Sequence, residues 1–515
     1  MILLRAAVVA IVAGIVAMGA AVPASGAPSG PDAAPAAKGK KKGKGKKCKG
    51  KKKGKKGKKC KQQKKKKGNK PGAASPTREA IFVGNNWDGT ADVLLFDPGT
   101  KGSKGSKKVR CKGKKTKAKR KQCKRNAKKK SRKRAKKHKK GKKNKKQVKA
   151  RPPDLKRVAR LNIIPDASAR MAEIALNPID LGYFIAIQQL IGEGHNQYVD
   201  DMYSTNDGKH LIVSRPSFKD VVSLNIATGK IVWRFEVDGQ RSDHMALSPD
   251  GRHVAVVAST GNGVHILDTA TGAEVGGFPS GDSPHENTYS ADGKRIYHAS
   301  IGLVYTPADL PIFDTTKGDR YFQVVDAGTN AILSQVDMGQ KLAEAGYPGM
   351  SAAVRPMAIT SDERFAYLQV SFFHGYVKYD LANQKVVQVV NLPISDKAAQ
   401  TPRELYLLDS AHHGIALDKT DSKLCVAGTM SDYAAIVPVD DPSKRTIINE
   451  GEKPYWSTTS RDGEYCFVSW SGTDKISILS YAEQREVLSI KVGDHPQRIR
   501  TGEFEQSGLK SLGAG

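Results

Sequence analysis

The chain has 515 residues, 87 Lys plus Arg against 50 Asp plus Glu, 6% aromatic residues and a formal charge of +37. Most of the excess lies in two stretches, since residues 38–70 carry 21 Lys and residues 101–151 carry 30 Lys plus Arg, neither with any acid. The remaining 36 basic residues face all 50 acidic ones, which excludes a basic nucleic-acid-binding fold for the body of the protein.

Met1–Arg5 is a short positive start, Ala6–Val22 is apolar, and small residues follow around Ala24 and Ala27. Residues 1–27 read as a signal peptide, with a retained N-terminal anchor as the alternative. No Cys for lipid attachment follows directly, and no later stretch is long and apolar enough to span, so the mature chain is expected to lack a transmembrane helix. The expected location is secreted or extracytoplasmic, at the cell surface. Residues 28–78 and the insertion 101–151 are too polar to bury a core and are expected to be disordered. Their charge suits a polyanion, namely anionic cell-wall polymer or an anionic lipid surface. No aromatic residue interrupts either Lys run, so sequence-specific reading of nucleic acid has no support. Cys48 and Cys60, like Cys111 and Cys123, stand twelve apart, and in an oxidising exterior each pair can close a disulfide.

From Glu79 a repeat emerges when Asp-Gly turns are aligned. Ser-Thr-Asn-Asp-Gly-Lys at 204–209, Leu-Ser-Pro-Asp-Gly-Arg at 247–252 and Tyr-Ser-Ala-Asp-Gly-Lys at 289–294 place Asp207, Asp250 and Asp292 at spacings of 43 and 42. Related turns recur at 359–367, 421–426 and 460–468. Each precedes alternating strands, and four short strands per period of about 42 residues predict a β-propeller blade. Six blades follow directly. Residues 494–502 match a first strand with nothing after it, whereas Glu79–Asn85, Asp92–Asp97 and Lys156–Ile163 read as second to fourth strands with no first. The fold class is therefore all-β: a seven-bladed propeller over 79–504, closed by strands from both termini, with a tail at 505–515. Residues 164–199 form a partly helical insertion, with helical spacing at Ala167–Leu176 and Ile179–Ile191. Cys425 and Cys466 sit mid-strand in successive repeats and read as buried free thiols.

The turns Ser248-Pro249-Asp250-Gly251-Arg252 and Ile266-Leu267-Asp268-Thr269-Ala270-Thr271-Gly272 resemble those of the secreted YVTN-type propellers, WD-like members of the quinoprotein amine dehydrogenase-like group. The resemblance implies seven blades and says little about activity. Ile226–Trp233 also looks like the Trp-docking repeat of quinone-cofactor dehydrogenases, but occurs once where those enzymes repeat it.

Alignment of first strands puts Asp200, Asp243, His285, Arg355, His413, Tyr455 and His495 at one equivalent position, the start of each innermost strand. Seven such positions surround a channel. His285, His413 and His495, with Asp243 and Asp200, are candidate ligands for a transition metal, copper, zinc or iron, through neutral imidazoles. Arg355, Tyr455, Trp456 and Glu286 are candidate cofactor or ligand contacts, and His244, His412, His374 and Asp494 lie near enough to join them. A solvated channel mouth is the competing reading of the same residues. The arrangement is similar to nitrous oxide reductase in gathering propeller histidines, without that enzyme's second copper domain or paired-cysteine motif. Three excursions, 164–199, 301–320 and 393–411, open on the face where first strands begin and are expected to form a lid. No Gly-x-Ser-x-Gly elbow supports a serine nucleophile. The functional readings are a small-ligand-binding propeller tethered by basic arms, a metal-dependent oxidoreductase, and a non-catalytic cell-wall scaffold.

Deleting 28–72 and 101–151 is expected to abolish retention on heparin-like resin or anionic wall polymer, while the full mature chain elutes with added salt. Retention of the arm-free protein would place the polyanion site elsewhere.

Overall fold

The computed structural model describes residues 77–99, 151–304, 317–406 and 410–511. The signal-peptide segment, both Lys-rich stretches with Cys48, Cys60, Cys111 and Cys123, and most of the 301–320 excursion lie outside the described residues.

Seven four-stranded antiparallel sheets form the blades. Their first strands are Pro496–Glu505, Asp201–Ser204, Ser242–Leu247, Pro284–Tyr289, Val354–Ile359, Gly414–Leu417 and Pro454–Thr459, for blades I to VII. Neighbouring first strands touch in that order and return from VII to I, so the ring is closed. Closure depends on Pro496–Glu505 pairing with Thr77–Asn85, in register from Thr77 opposite Glu505 to Val83 opposite Ile499, with Asn85 opposite Pro496 beyond a break. Two distant parts of the chain thereby complete blade I, as the sequence pattern predicts.

The repeated turns have a common local chemistry. Asp250 accepts hydrogen bonds from the Ser248 hydroxyl (2.7 Å) and the Arg252 amide (3.0 Å), while the same hydroxyl accepts from the His253 amide (3.0 Å). Ser290 with Asp292 and Ser460 with Asp462 repeat the arrangement. Gly251 takes φ of +73°, and a Cβ there would lie 2.3 Å from the Asn206 side chain of the preceding blade. The turn residues are therefore fixed by backbone geometry as well as by side-chain bonding. Between blades, apolar faces interdigitate, as where Ile212 and Val221 of blade II meet Val254 and Val256 of blade III.

The cysteine reading needs correction. Cys425 and Cys466 form a disulfide joining blades VI and VII, with Cα atoms 6.5 Å apart. They occupy second strands of adjacent blades, and the inter-blade face turns the two buried positions toward each other. A one-strand pattern records burial but not which neighbour faces it. Closing a 41-residue separation removes chain entropy from the unfolded state, about 4 kcal/mol in the loop-closure account.

The 164–199 insertion contains α1 (Ala167–Leu176) and α2 (Pro178–Ala186), followed by a π turn at Ile187–Ile191. Asn177 separates the helices by capping α2, its side chain accepting from the Ile179 amide at 3.0 Å, and Pro178 suits the first turn. The base is pinned by a buried ion network. Arg215 binds Asp220 through two 2.8 Å bonds and Asp166 through bonds of 2.6 and 3.1 Å. Ile174 and Phe184 pack on Phe218. Among the described residues, three further α-helices, α3 (Met338–Glu344), α4 (Asp396–Gln400) and α5 (Gln506–Ser511), differ from the sequence expectation. All are of seven residues or fewer, too short for periodicity to register. Among the described residues no helix is long and apolar enough to cross a membrane.

Ending the chain after Val492 removes the first strand of blade I and leaves the Thr77–Asn85 edge open. The truncated protein is expected to aggregate or lose cooperative unfolding in calorimetry. Unchanged melting would contradict closure by the C-terminal strand.

Candidate functional site at the channel mouth

Each first strand begins at the mouth of the channel, and there the ladder is irregular. Pairing skips between Ser242 and Met245 in blade III, Pro284 and Glu286 in blade IV, Val354 and Met357 in blade V, and Pro454 and Ser457 in blade VII. Blade I shows the same break, between Val83 and Asn85 on the paired strand. In blades II and VI the regular strand starts one residue later, after Asp200 and His413. Such bulges release side chains from strict alternation. Consecutive residues such as Asp243 and His244 can then both reach the site.

Of the sequence-derived candidates, Asp200, Asp243, His244, His285, Arg355, Tyr455 and His495 line one cavity of about 70 Å3, together with Gln497, Arg241 and Trp87. Ile191 and Glu193 of the helical insertion also line it. The insertion therefore contributes wall at the mouth, as a lid would. Glu193 reaches Lys453 across the rim at 2.9 Å.

Three imidazoles converge beneath the cavity. The ring centroids of His244 and His285 are 4.0 Å apart, and His413 lies 5.7 Å from the first and 5.6 Å from the second. One ring nitrogen from each falls within 4.8 Å of the other two. A second set with the same spacing joins His244 to Asp200 and Asp243. His244 Nδ1 is 2.6 Å from the Glu286 carboxyl. Arg355 Nη1 donates to His285 Nε2 at 3.1 Å, and His413 stacks on Tyr455 at 4.1 Å. The Trp456 ring centroid is 5.9 Å from that of His244 and 6.1 Å from that of His413.

His495 stands apart from this triad. Its ring stacks on Trp87 at 3.9 Å, and Trp87 carries His195 of the insertion on its other face at 4.0 Å. The alignment equates the backbone position of His495 with the others, but with φ of +53° its backbone is left-handed. His244, one residue after an aligned position, joins His285 and His413 in its place. His412 turns away to Tyr433 at 3.3 Å and His374 to Tyr406 at 3.1 Å, beneath the 393–411 excursion. Asp494 is exposed at the rim.

Sequence reasoning missed Arg241, Arg498 and Arg500. Arg498 is fully buried, donates to the Asp200 carbonyl at 3.0 Å and lies 3.6 Å above the Trp456 ring. Arg500 binds the Asp201 carboxylate through bonds of 2.9 and 2.7 Å. Their signal was two arginines at alternate positions of an innermost strand, where a solvent-facing role is excluded by the fold.

Burial dominates the electrostatics. It lowers the pKa values of His244, His285 and His413 far below the ordinary histidine value, and nearby guanidinium groups add to the effect. The imidazoles are thus neutral and able to offer lone pairs. Burial and then the charge of Asp243 push Asp200 well up, and burial pushes Glu286 up to about 8. His412 and His495 are lowered by burial to about 3.

No protein-family model and no curated protein matches the chain. Among solved structures it is similar to Kuenenia stuttgartiensis hydrazine synthase at 15% identity, covering 58% of this chain and 88% of that chain with a TM-score of 0.44. That likeness carries nothing about chemistry.

These shifts give stability two opposed pH slopes. Histidines held neutral in the fold are protonated in the unfolded chain below about 6.5, so stability falls as pH drops through that value toward 3. Glu286 keeps its proton to about 8 in the fold but would lose it near 4.5 when unfolded, so its contribution fades as pH rises between those values. Glu286→Gln is therefore expected to raise Tm at pH 8 by several degrees relative to the unsubstituted protein while preserving the acid slope. Parallel Tm profiles for the two proteins would show that Glu286 is not held protonated.

Proposed function

We propose that the protein is an extracytoplasmic propeller that holds a small anionic ligand in the cavity under its helical lid, while the basic arms tether it to anionic cell-surface polymer. The observation that carries the ligand reading is a cavity walled by six blades and the lid, with Arg241 and Arg355 among its lining. Arg355 is 6% exposed, donates to the Ser371 hydroxyl and to His285 Nε2, and still borders the cavity, where an anion or carbonyl oxygen would add to its partners. Tyr455 and Gln497 add neutral groups able to hydrogen-bond the same ligand. The Cys425–Cys466 disulfide is compatible with an oxidising location.

A panel of small carboxylates and inorganic oxyanions, tested at constant ionic strength by calorimetry and thermal shift, addresses the ligand reading. At least one is expected to bind the mature protein, and Arg355→Gln is expected to weaken it tenfold or more, whereas Arg295→Gln on the outer surface leaves it unchanged. Absence of binding across the panel, or equal binding by Arg355→Gln, would overturn the reading.

A further inference from the structure

We propose that His244, His285 and His413 form a three-imidazole site for one borderline transition-metal ion, zinc or copper, whose fourth coordination position opens into the lidded cavity. The inference deepens the ligand-binding reading and rests on the same cavity.

Accounting for the ring nitrogens favours this set. His244, His285 and His413 are 1%, 4% and 0% exposed, so water does not satisfy them. Among the described residues, His285 Nδ1 and His413 Nδ1 are buried with no hydrogen-bond partner. His244 commits Nδ1 to Glu286 and leaves Nε2 for another partner. Arg355 meets His285 Nε2 at 3.1 Å and the Tyr455 hydroxyl meets His413 Nε2 at 3.4 Å, so each ring keeps one buried nitrogen without a partner. An ion bound by His285 takes the place of either the Arg355 contact or the proton that this contact fixes on Nδ1.

The overlapping Asp200, Asp243 and His244 set is the weaker alternative, because its carboxylates are already engaged. Asp243 accepts from Arg241 at 2.5 Å and from Ser259 at 2.9 Å, and Asp200 accepts from Arg498 at 3.3 Å. Asp243 and Asp201 instead face the guanidinium groups of Arg241 and Arg500 beside the triad. A dication therefore does not enter a uniformly positive shell.

The donor set selects the ion. Three neutral imidazoles without thiolate suit zinc or copper, and the absence of an oxygen cage disfavours magnesium and calcium. Nitrogens bound at about 2.0 Å in tetrahedral geometry stand about 3.3 Å apart, so binding draws the rings inward from their present spacing. Glu286 would orient His244 through the nitrogen that faces away from the ion. His244 and His285 both line the cavity, so the open position faces it, and the anionic ligand can complete the coordination.

The mature protein, stripped with chelator and reloaded with zinc or copper sulfate, tests the assignment by metal analysis, calorimetry and, for copper, electron paramagnetic resonance. One tight ion per chain with nitrogen hyperfine structure is expected. His244→Ala, His285→Ala and His413→Ala should each weaken it at least 100-fold, Glu286→Gln about tenfold, and His374→Ala, outside the cavity, not at all. If an alanine variant fails to fold, the matching His→Gln variant supplies the comparison. No tight ion, or an ion lost with His495 and retained without His413, would overturn the assignment. Anion binding by metal-free protein alongside no metal uptake would sink the metal site and leave the ligand reading standing, and metal uptake with no anion binding would do the reverse.

Discussion

The pairing of Pro496–Glu505 with Thr77–Asn85 governs both the shape of the molecule and the chemistry at its mouth. Without that strand, blade I has no inner edge and blades VII and II have no neighbour between them. The same strand carries Arg498 and Arg500. Arg498 bridges the Asp200 backbone of blade II to the Trp456 ring of blade VII, while Arg500 holds Asp201. Closure and site assembly are thus one event: the polar groups of three blades find their partners only when the ring is complete. Burying these charges is tolerable because the guanidinium groups arrive with carboxylates facing them.

The irregular starts of the first strands are the second constraint. A strictly alternating strand would aim one of Asp243 and His244 at the channel and the other into the neighbouring blade. The break in pairing between Ser242 and Met245 lets both remain near the axis. Comparable breaks at His285, Arg355 and Tyr455 fit a view in which regular pairing is relinquished where side-chain density at the mouth is needed. The cost is borne by strands whose outer portions are fully paired.

Architecture was legible because it is periodic. Asp-Gly turns at near-constant spacing disclose blades, and the unmatched halves at the two ends disclose how the ring closes. The site was legible only to within a residue. Aligning strand starts found His285 and His413, which do converge, but it equated His495 with them and assigned His244 a neighbouring part. A bulge shifts the facing residue by one without leaving a mark in composition, and a left-handed backbone at His495 redirects its ring toward Trp87. Pairing between blades was equally hidden. Cys425 and Cys466 look alike as buried strand residues, and only the rotation from one blade to the next shows that they meet.

The chain enters the propeller at Thr77, and the 101–151 insertion departs between Asp97 and Asp154, which pair directly. Thr77 pairs with Glu505 at the end of the first strand away from Pro496, so both departures lie on the face opposite the mouth. Arg151 reinforces the second by pairing with Asp97. Under the proposed tethering, a surface that gripped both segments would make a bivalent attachment, in which release of one leaves the other holding it at high effective concentration. Held in the proposed way, the molecule would present its mouth to the medium, because both departures lie at the end of blade I away from Pro496.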